Sequence, residues 1–216
     1  MKKMTALLLS AALLCPTLAL AEDTVKIGIF EPMTGATAAG GSMEKEGFDL
    51  ANELYPDVLG RKIELVYGDN KSDRAEATLA AQSLVDKGVI AVLGSYASGL
   101  SMAGGEVFAE SEIPALTATA TNPTVTLDCE WYARICFIDP FQGTMLARYA
   151  VKNDYKKIAI MREKDSEYAV GLVKYFQDEI AAHDGFEVVE LCDFMNKDED
   201  FSALLGAVLN KKPDVI

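Results

Sequence analysis

Three hydroxyl side chains follow two neighbouring apolar runs in this 216-residue chain. Ser98 comes shortly after residues 89–93, and Thr119 and Thr121 come shortly after residues 113–117. A helical pattern between the runs predicts two parallel strands, whose carboxyl ends meet at one sheet edge, where open α/β sheets bind ligands. Hydroxyls beside the unpaired amides of a helix N-terminus suit an anionic group such as a carboxylate. A structural role explains the same residues: Ser98 as a helix N-cap and the threonines as a strand end. Spacing alone leaves both hypotheses open.

Sequence patterns of common enzymes are absent or incomplete. Neither G-x-x-x-x-G-K-[ST] nor G-x-S-x-G occurs. Ser42 and Lys45 match S-x-x-K, but the S-D-N and K-T-G partners of a hydrolase are missing. His183 is the only histidine in the sequence, which excludes a histidine-based triad and a multi-histidine metal site. The acidic residues 193 and 198–200 lack an EF-hand pattern and are interpreted as a solvated loop. We therefore predict no enzyme activity, no catalytic residue, no metal and no cofactor.

Short apolar runs alternate with helical patterns along the first half of the chain. Glycine- and alanine-rich residues 31–42 are interpreted as a loop, and Asp73 with Glu76 as a helix capping box. Strand-helix alternation predicts a parallel sheet with helices on both faces. The predicted strands are residues 25–30, 62–67, 89–93 and 113–117, and the helices between them are centred on residues 43–54, 73–87 and 99–110.

Residues 122–140 interrupt this alternation. Cys129 and Cys136 flank a β-like run, interpreted as a hairpin, and an exported protein can join such a pair in a disulfide. The alternative is two buried thiols, and Cys192 has no evident partner. After the interruption, helices are predicted at residues 143–153, 168–183 and 201–210, and strands at 156–161 and 186–192, with another strand opening at 213.

This order predicts an α/β protein of two doubly wound, Rossmann-like parallel-sheet lobes joined by a hinge. The N-terminal ligand-binding lobe is assigned to residues 22–138 and a partial second lobe to residues 139–216. Because the last strand is only begun, we expect the second lobe to be incomplete and the chain to be part of a longer protein.

The N-terminus has the pattern of a secretory signal. Lys2 and Lys3 precede a small, apolar stretch, and Ala19-Leu20-Ala21 forms a cleavage site, so residues 1–21 are predicted to be a signal peptide. A membrane anchor is disfavoured because the apolar run is short. Lipidation at Cys15 is also disfavoured, since Leu14 stands where a lipobox needs a small residue.

Charge indicates which partners to expect. Removal of Lys2 and Lys3 with the signal takes the net charge from −13 to −15. Such a chain repels phosphate backbones, so nucleic acid is not an expected partner. No second stretch has membrane length, so we expect no stable membrane insertion.

Several short segments, in this order, resemble the periplasmic branched-chain amino-acid (leucine/isoleucine/valine) binding proteins of ABC transporters. These segments are residues 26–28, 32–35, 89–94, 120–123, 137–143 and 200–201, and the resemblance runs from residue 25 to 216. It implies a class I periplasmic binding protein fold, in which an amino acid is held in a cleft between two lobes. It also implies that Ser98 binds the ligand carboxylate, that the Thr119 carbonyl accepts from the ammonium, that Thr121 contacts both groups and that Tyr168 lines the cleft.

The chain departs from this family in two places. Gly40 and Gly41 stand where relatives often have an aromatic residue, so we expect the cleft to admit a larger ligand or to have a more flexible lid. The family's acidic residue for the ammonium would lie beyond Ile216. The sequence-based prediction is an exported, monomeric protein, periplasmic or otherwise extracytoplasmic, that delivers a branched-chain or other aliphatic amino acid to an ABC permease. The alternative is a ligand-binding sensor module, of a receptor or of an amide or amino-acid regulator, with the same fold.

Overall fold

The computed structural model describes residues 24–127 and 129–216, so the predicted signal peptide at residues 1–21 lies outside it. Residues 24–134 form a six-stranded sheet in the order β2-β3-β1-β4-β5-β6. All neighbouring strands are parallel except β2, which pairs antiparallel with β3 at the edge. Its strands are β1 (Val25–Glu31), β2 (Asp57–Val58), β3 (Arg61–Asp69), β4 (Ala91–Gly94), β5 (Ala115–Thr117) and β6 (Tyr132–Arg134).

Three helices accompany this sheet: α1 (Ala38–Leu54), α2 (Arg74–Asp86) and α3 (Ser98–Glu110). The alanine-rich face of α2 and the apolar face of α3 pack in the main core, where Phe30 of β1 meets Phe108 of α3 edge to face at 5.4 Å. The predicted alternation of parallel strands and helices is confirmed, and the core anchors the strand ends that carry Ser98, Thr119 and Thr121.

Two local predictions around these helices need correction. Helix α1 begins at Ala38, so Gly40 and Gly41 lie in its first turns and not in a loop. Glycine is needed at position 41 for the helix to pack here, because a Cβ on Gly41 would lie 2.4 Å from the Pro32 carbonyl. Asp73 does cap α2, accepting from the amides of Ala75 and Glu76. The Glu76 carboxylate, however, pairs with Lys71 (3.0 Å) instead of completing a capping box.

The predicted hairpin with a Cys129–Cys136 disulfide is wrong. Residues 132–134 form a single strand, β6, that pairs parallel with β5 and extends the first sheet. The two cysteines therefore lie beyond opposite ends of this short extended strand, and both are free thiols. Arg134 fixes the segment by donating to the carbonyls of Ala120 (2.7 Å) and Pro123 (3.1 Å). Cys192 is a buried free thiol in the second half.

The second half has its own sheet. Strands β7 (Lys157–Glu163) and β8 (Glu187–Phe194) pair in parallel, and Val215 bridges to Ile158 beside them, which confirms the predicted opening of a further strand. The accompanying helices are α4 (Asp139–Lys152), α5 (Glu167–Ile180) and α6 (Ser202–Asn210). The predicted lobe boundary after residue 138 coincides with the start of α4, between the two sheets, and remains a prediction.

Two further features of the described residues concern their surface. No helix among them is both long enough and apolar enough to cross a membrane. An apolar groove of about 460 Å³ lies on the second sheet, between β7 and helices α4 and α5.

Candidate ligand-binding cleft

A cleft of about 690 Å³ separates the loops that follow the two sheets. We call the part after the first sheet the first wall; its main residues are Tyr96, Ala97, Ser98, Thr119 and Thr121. We call the part after the second sheet the second wall; its residues are Glu163, Ser166, Tyr168, Phe194 and Asn196. All four predicted site residues, Ser98, Thr119, Thr121 and Tyr168, line this one cleft. Its volume suits a small molecule of amino-acid size or larger.

Ser98 is the first residue of α3 and is 2% exposed. The N-cap position belongs to Ala97, so the prediction that Ser98 is the N-cap of the helix is wrong. Ala97 has φ 72°, a left-handed conformation that costs a non-glycine residue roughly 1–3 kcal/mol and turns the chain from β4 into α3. The Ser98 hydroxyl oxygen accepts from the amide of Asn122 (3.2 Å), which leaves its proton to donate into the cleft.

Thr121 supplies a buried hydroxyl on the same wall. The residue is 6% exposed, and its Oγ1 has no hydrogen-bond partner within the described part of the chain. The nearby Asp139 carboxyl is fully buried at the start of α4, and burial raises its pKa while the neighbouring hydroxyl lowers it. Asp139 Oδ2 likewise has no hydrogen-bond partner among the described residues, so the two groups lie side by side in the buried wall. A buried hydroxyl without a partner at a cleft surface is available to a ligand.

Thr119 is linked to a residue that sequence reasoning did not single out. Its hydroxyl donates to Glu44 Oε1 on α1. The hydroxyl proton of Thr119 is therefore already used, and its contribution to a ligand would come from its backbone carbonyl. No local pattern in α1 marks Glu44, because only the fold brings residue 44 beside residue 119.

A second carboxyl, Glu31 at the end of β1, lies behind Glu44 and is 0% exposed. Burial, and next the charge of Glu44, raise the pKa of Glu31 from 4.5 to about 9. Burial also raises the pKa of Glu44, against the effect of its hydrogen bonds to Thr119 and Glu31. The Tyr96 amide donates to Glu31 Oε2 (2.7 Å). Gly94 makes room for this carboxyl, because a Cβ there would lie 2.5 Å from Glu31 Oε1.

Tyr96 fills the space above Gly40. A Cβ on Gly40 would lie 2.5 Å from the Tyr96 ring, so the glycine is needed for the ring to rest on α1. Tyr96 therefore provides an aromatic lining of the cleft beside Gly40, and the expectation of a larger ligand or a more flexible lid stays a prediction.

The second wall is more open. Tyr168 lies in the first turn of α5 and is 38% exposed, and burial followed by the Asp139 charge raises the pKa of its phenol. Ser166 caps α5 by accepting from the amide of Ala169 (3.2 Å). Glu167 joins the two sides, accepting from Arg74 at its carboxylate (2.6 Å) and from Asn122 Nδ2 at its carbonyl (2.8 Å).

Among the described residues, no cationic side chain lines the cleft. Glu163 is the one charged residue of that described lining, and its pKa is raised by burial and by Asp165. Across residues 24–127 and 129–216, no three His, Cys, Asp or Glu side chains are grouped to hold a metal ion. A carboxylate in this cleft would therefore rely on the α3 N-terminus and on hydroxyls, as the serine and threonines provide.

Two sheets of an α/β chain with a cleft at their carboxyl edges define the architecture of a small-molecule binding protein. The chain belongs to the periplasmic binding protein family, whose model matches residues 24–216.

Known members of this family resemble it over part of their length. The Leu/Ile/Val-binding protein BraC3 of Rhizobium johnstonii is 32% identical over the whole of this chain and 59% of its own. A leucine binding protein of Thermotoga maritima superposes with a TM-score of 0.84 at 37% identity, over 88% of this chain and 55% of that one. A solute binding protein of an ABC transporter from Rhodopseudomonas palustris was solved with 3,4-dihydroxybenzoic acid. It superposes with a TM-score of 0.82 at 25% identity, over 90% of this chain and 55% of that one.

These comparisons confirm the class I periplasmic binding protein fold and the resemblance to branched-chain amino-acid binding proteins. The chain spans only a little more than half the length of the relatives it matches.

Proposed function

We propose that this protein captures a small zwitterionic amino acid, branched-chain or otherwise aliphatic, in the cleft between its two sheets. The observation that carries the proposal is the first wall: Ser98 and Thr121 are almost completely buried, the Ser98 hydroxyl accepts from Asn122 and so keeps its proton to donate, and Thr121 Oγ1 has no hydrogen-bond partner among the described residues. Both lie beside the positive end of α3. Such groups complement a carboxylate.

In this proposal the ligand is fixed by its charged ends. The carboxylate binds at the α3 amides and the Ser98 hydroxyl, Thr121 bridges both ends, and the Thr119 carbonyl accepts from the ammonium. Each charge-assisted hydrogen bond contributes roughly 1.5–3 kcal/mol. The aliphatic side chain then lies against Tyr168 and the other apolar lining residues, Phe137 and Phe194.

Binding would favour closure of the two sides. A ligand bound to the first wall gains further contacts when the second wall approaches, and that difference in affinity stabilises the closed state. Delivery to an ABC permease, after export across the inner membrane, completes the proposed role. Three similar proteins support this role. Those from Rhizobium johnstonii and Thermotoga maritima are named as Leu/Ile/Val- and leucine-binding proteins, and that from Rhodopseudomonas palustris is the solute binding protein of an ABC transporter.

A thermal-shift screen of the full-length protein tests the ligand class. Leucine, isoleucine or valine should raise the melting temperature, because a ligand that binds only the folded state stabilises it, and calorimetry should give a one-to-one stoichiometry. 4-Hydroxybenzoate serves as the comparison ligand, since it has a carboxylate but no ammonium. A shift with 4-hydroxybenzoate and none with any amino acid would overturn the proposal.

The permease role needs a separate test, because a sensor module with the same fold would bind the same ligand. Uptake of radiolabelled leucine should fall on deletion of the gene and return on its re-expression. Unchanged uptake in the deletion strain would favour the sensor alternative.

A further inference from the structure

The first wall carries negative charge without a cationic partner. Glu44 approaches the cleft through the hydroxyl of Thr119, which lines it, and Glu31 lies one layer deeper. The partners of these two carboxyls are a backbone amide, a threonine hydroxyl and each other. Burying an ionised carboxyl without a cation costs free energy, so a cationic group of a bound ligand would stabilise it.

Hydrogen bonding indicates that the two carboxyls share one proton. Glu31 Oε2 accepts from Tyr96, and Glu44 Oε1 accepts from Thr119. The remaining oxygens, Glu31 Oε1 and Glu44 Oε2, are buried and lack a donor from any other described residue. One proton between the carboxyls satisfies both oxygens, and like charges this close disfavour a second ionisation. The pair, which we call the Glu31–Glu44 pair, then carries a single negative charge, mainly on Glu44.

The position of this charge matches one end of the proposed ligand. Thr119 lies between Glu44 and the cleft, and the Thr119 carbonyl is the group proposed to accept from the ammonium. The Ser98 hydroxyl at the start of α3 and the unpartnered Thr121 hydroxyl suit a carboxylate. The wall thus combines an acidic group behind Thr119 with hydroxyl donors at Ser98 and Thr121.

We propose that the Glu31–Glu44 pair determines specificity: it places one negative charge behind Thr119 and selects ligands that carry an ammonium over plain carboxylates. This inference rests on the proposed function and deepens it. It assigns to the first wall an acidic group of the chain's own, contributed by β1 and α1.

Glutamine substitutions separate the charge from the hydrogen bonds. Glu31→Gln retains the charge on Glu44, because the Gln amide replaces the proton donor and its oxygen still accepts from Tyr96. Glu31→Gln combined with Glu44→Gln removes the charge and keeps both shapes, with the amide oxygen at position 44 accepting from the amide at position 31 and its NH2 group donating to the Thr119 hydroxyl oxygen. The probes are L-leucine and 4-methylpentanoate, which is leucine without its amino group, titrated into the full-length proteins by calorimetry.

We expect Glu31→Gln to change the leucine Kd by less than about threefold, and the double variant to weaken it by at least about tenfold. 4-Methylpentanoate should bind the double variant at least as tightly as it binds the parent. Its carboxylate is then no longer repelled by a negative charge at position 44. Glu46→Gln, at an exposed position of the same helix, is the matched surface control and should alter neither Kd.

Equal losses for both probes, or an unchanged leucine Kd in the double variant, would overturn the inference. Thermal melts of each variant separate misfolding from lost affinity, and Glu31→Gln with Glu44→Ala gives a second neutral pair if the first does not fold. A parent that binds no amino acid would contradict the proposed function itself, whereas a parent that binds leucine with unresponsive variants would contradict only this inference.

Discussion

The two walls of the cleft differ in how firmly the fold holds them. First-wall residues follow central strands of a six-stranded sheet, and Ser98 and Thr121 are buried against the main core. Second-wall residues follow a two-stranded sheet, and Tyr168 keeps more than a third of its surface exposed. The second sheet also leaves an apolar groove of about 460 Å³ on its surface.

This contrast indicates that the two walls bind different parts of the ligand. A wall that is buried and hydrogen-bonded before the ligand arrives loses little entropy on binding, so it suits the charged ends that need fixed geometry. A more open wall suits the apolar side chain, whose contacts require no direction. We therefore expect substitutions on the first wall to have larger effects on affinity than those on the second.

Removal of both first-wall hydroxyls should have the largest effect. Ser98→Ala with Thr121→Ala should weaken leucine binding by at least about 100-fold, because two charge-assisted hydrogen bonds are lost. Calorimetry on the full-length protein measures this. Thr78→Ala, at an exposed position of α2, is the control and should leave the affinity unchanged. Retained affinity in the double variant would contradict the assignment of the first wall.

Loss of the second-wall aromatic should have a smaller effect. Tyr168→Ala should weaken leucine binding by roughly tenfold, since it removes apolar contact area but no charged contact. Tyr168→Phe keeps the ring and should bind within about threefold of the parent. If Tyr168→Ala lost as much leucine affinity as the first-wall variant, the two walls would contribute equally to binding, contrary to this expectation.

The buried carboxyl of Glu31 predicts a pH effect on stability. Its pKa is raised from 4.5 to about 9, so between these values the folded protein keeps a proton that the unfolded chain has lost. The stability that Glu31 provides is complete below the lower value and is lost as pH rises towards the higher one. Glu31→Gln cannot ionise, so its melting temperature relative to the parent should rise by about 3 °C or more between about pH 5 and pH 9.

Glu46→Gln is the control for this pH series, because Glu46 is exposed on α1. Its melting temperature should follow that of the parent at every pH. A constant difference between Glu31→Gln and the parent would show that Glu31 titrates normally and would contradict a shared proton.

The smallest effect is expected at the ion pair that joins the two sides. Arg74 and Glu167 are both about half exposed, and such pairs contribute roughly 1 kcal/mol or less. Arg74→Ala should weaken leucine binding by no more than about fivefold, and added salt should reduce the difference. A larger loss would indicate that closure depends on this contact more than on the ligand.

Local patterns were sufficient for the parts of the fold that repeat. Apolar runs and capping residues such as Asp73 located the strands and helices, and strand ends placed Ser98, Thr119 and Thr121 at one edge. The prediction failed where distant packing decides the outcome. Residues 132–134 joined the first sheet instead of forming a hairpin, and Gly40 lies in a helix, where only a glycine leaves room for the Tyr96 ring.

The most informative omissions were Glu31 and Glu44. Each is an ordinary acidic residue at its own position in the sequence, one at the end of an apolar run and the other within a helix rich in charges. Only the tertiary fold buries Glu31 beside Gly94 and directs Glu44 to Thr119. Contacts between residues far apart in sequence have no local pattern, so a single sequence could not indicate the pair.

One measurement tests the central claim most directly. The full-length protein should be titrated with leucine, with 4-methylpentanoate, which lacks the ammonium, and with 3-methylbutylamine, which lacks the carboxylate. If the first wall binds both charged ends, each analogue should bind at least about 100-fold more weakly than leucine. An analogue that binds as tightly as leucine would contradict the account, because the wall would then not recognise the missing group.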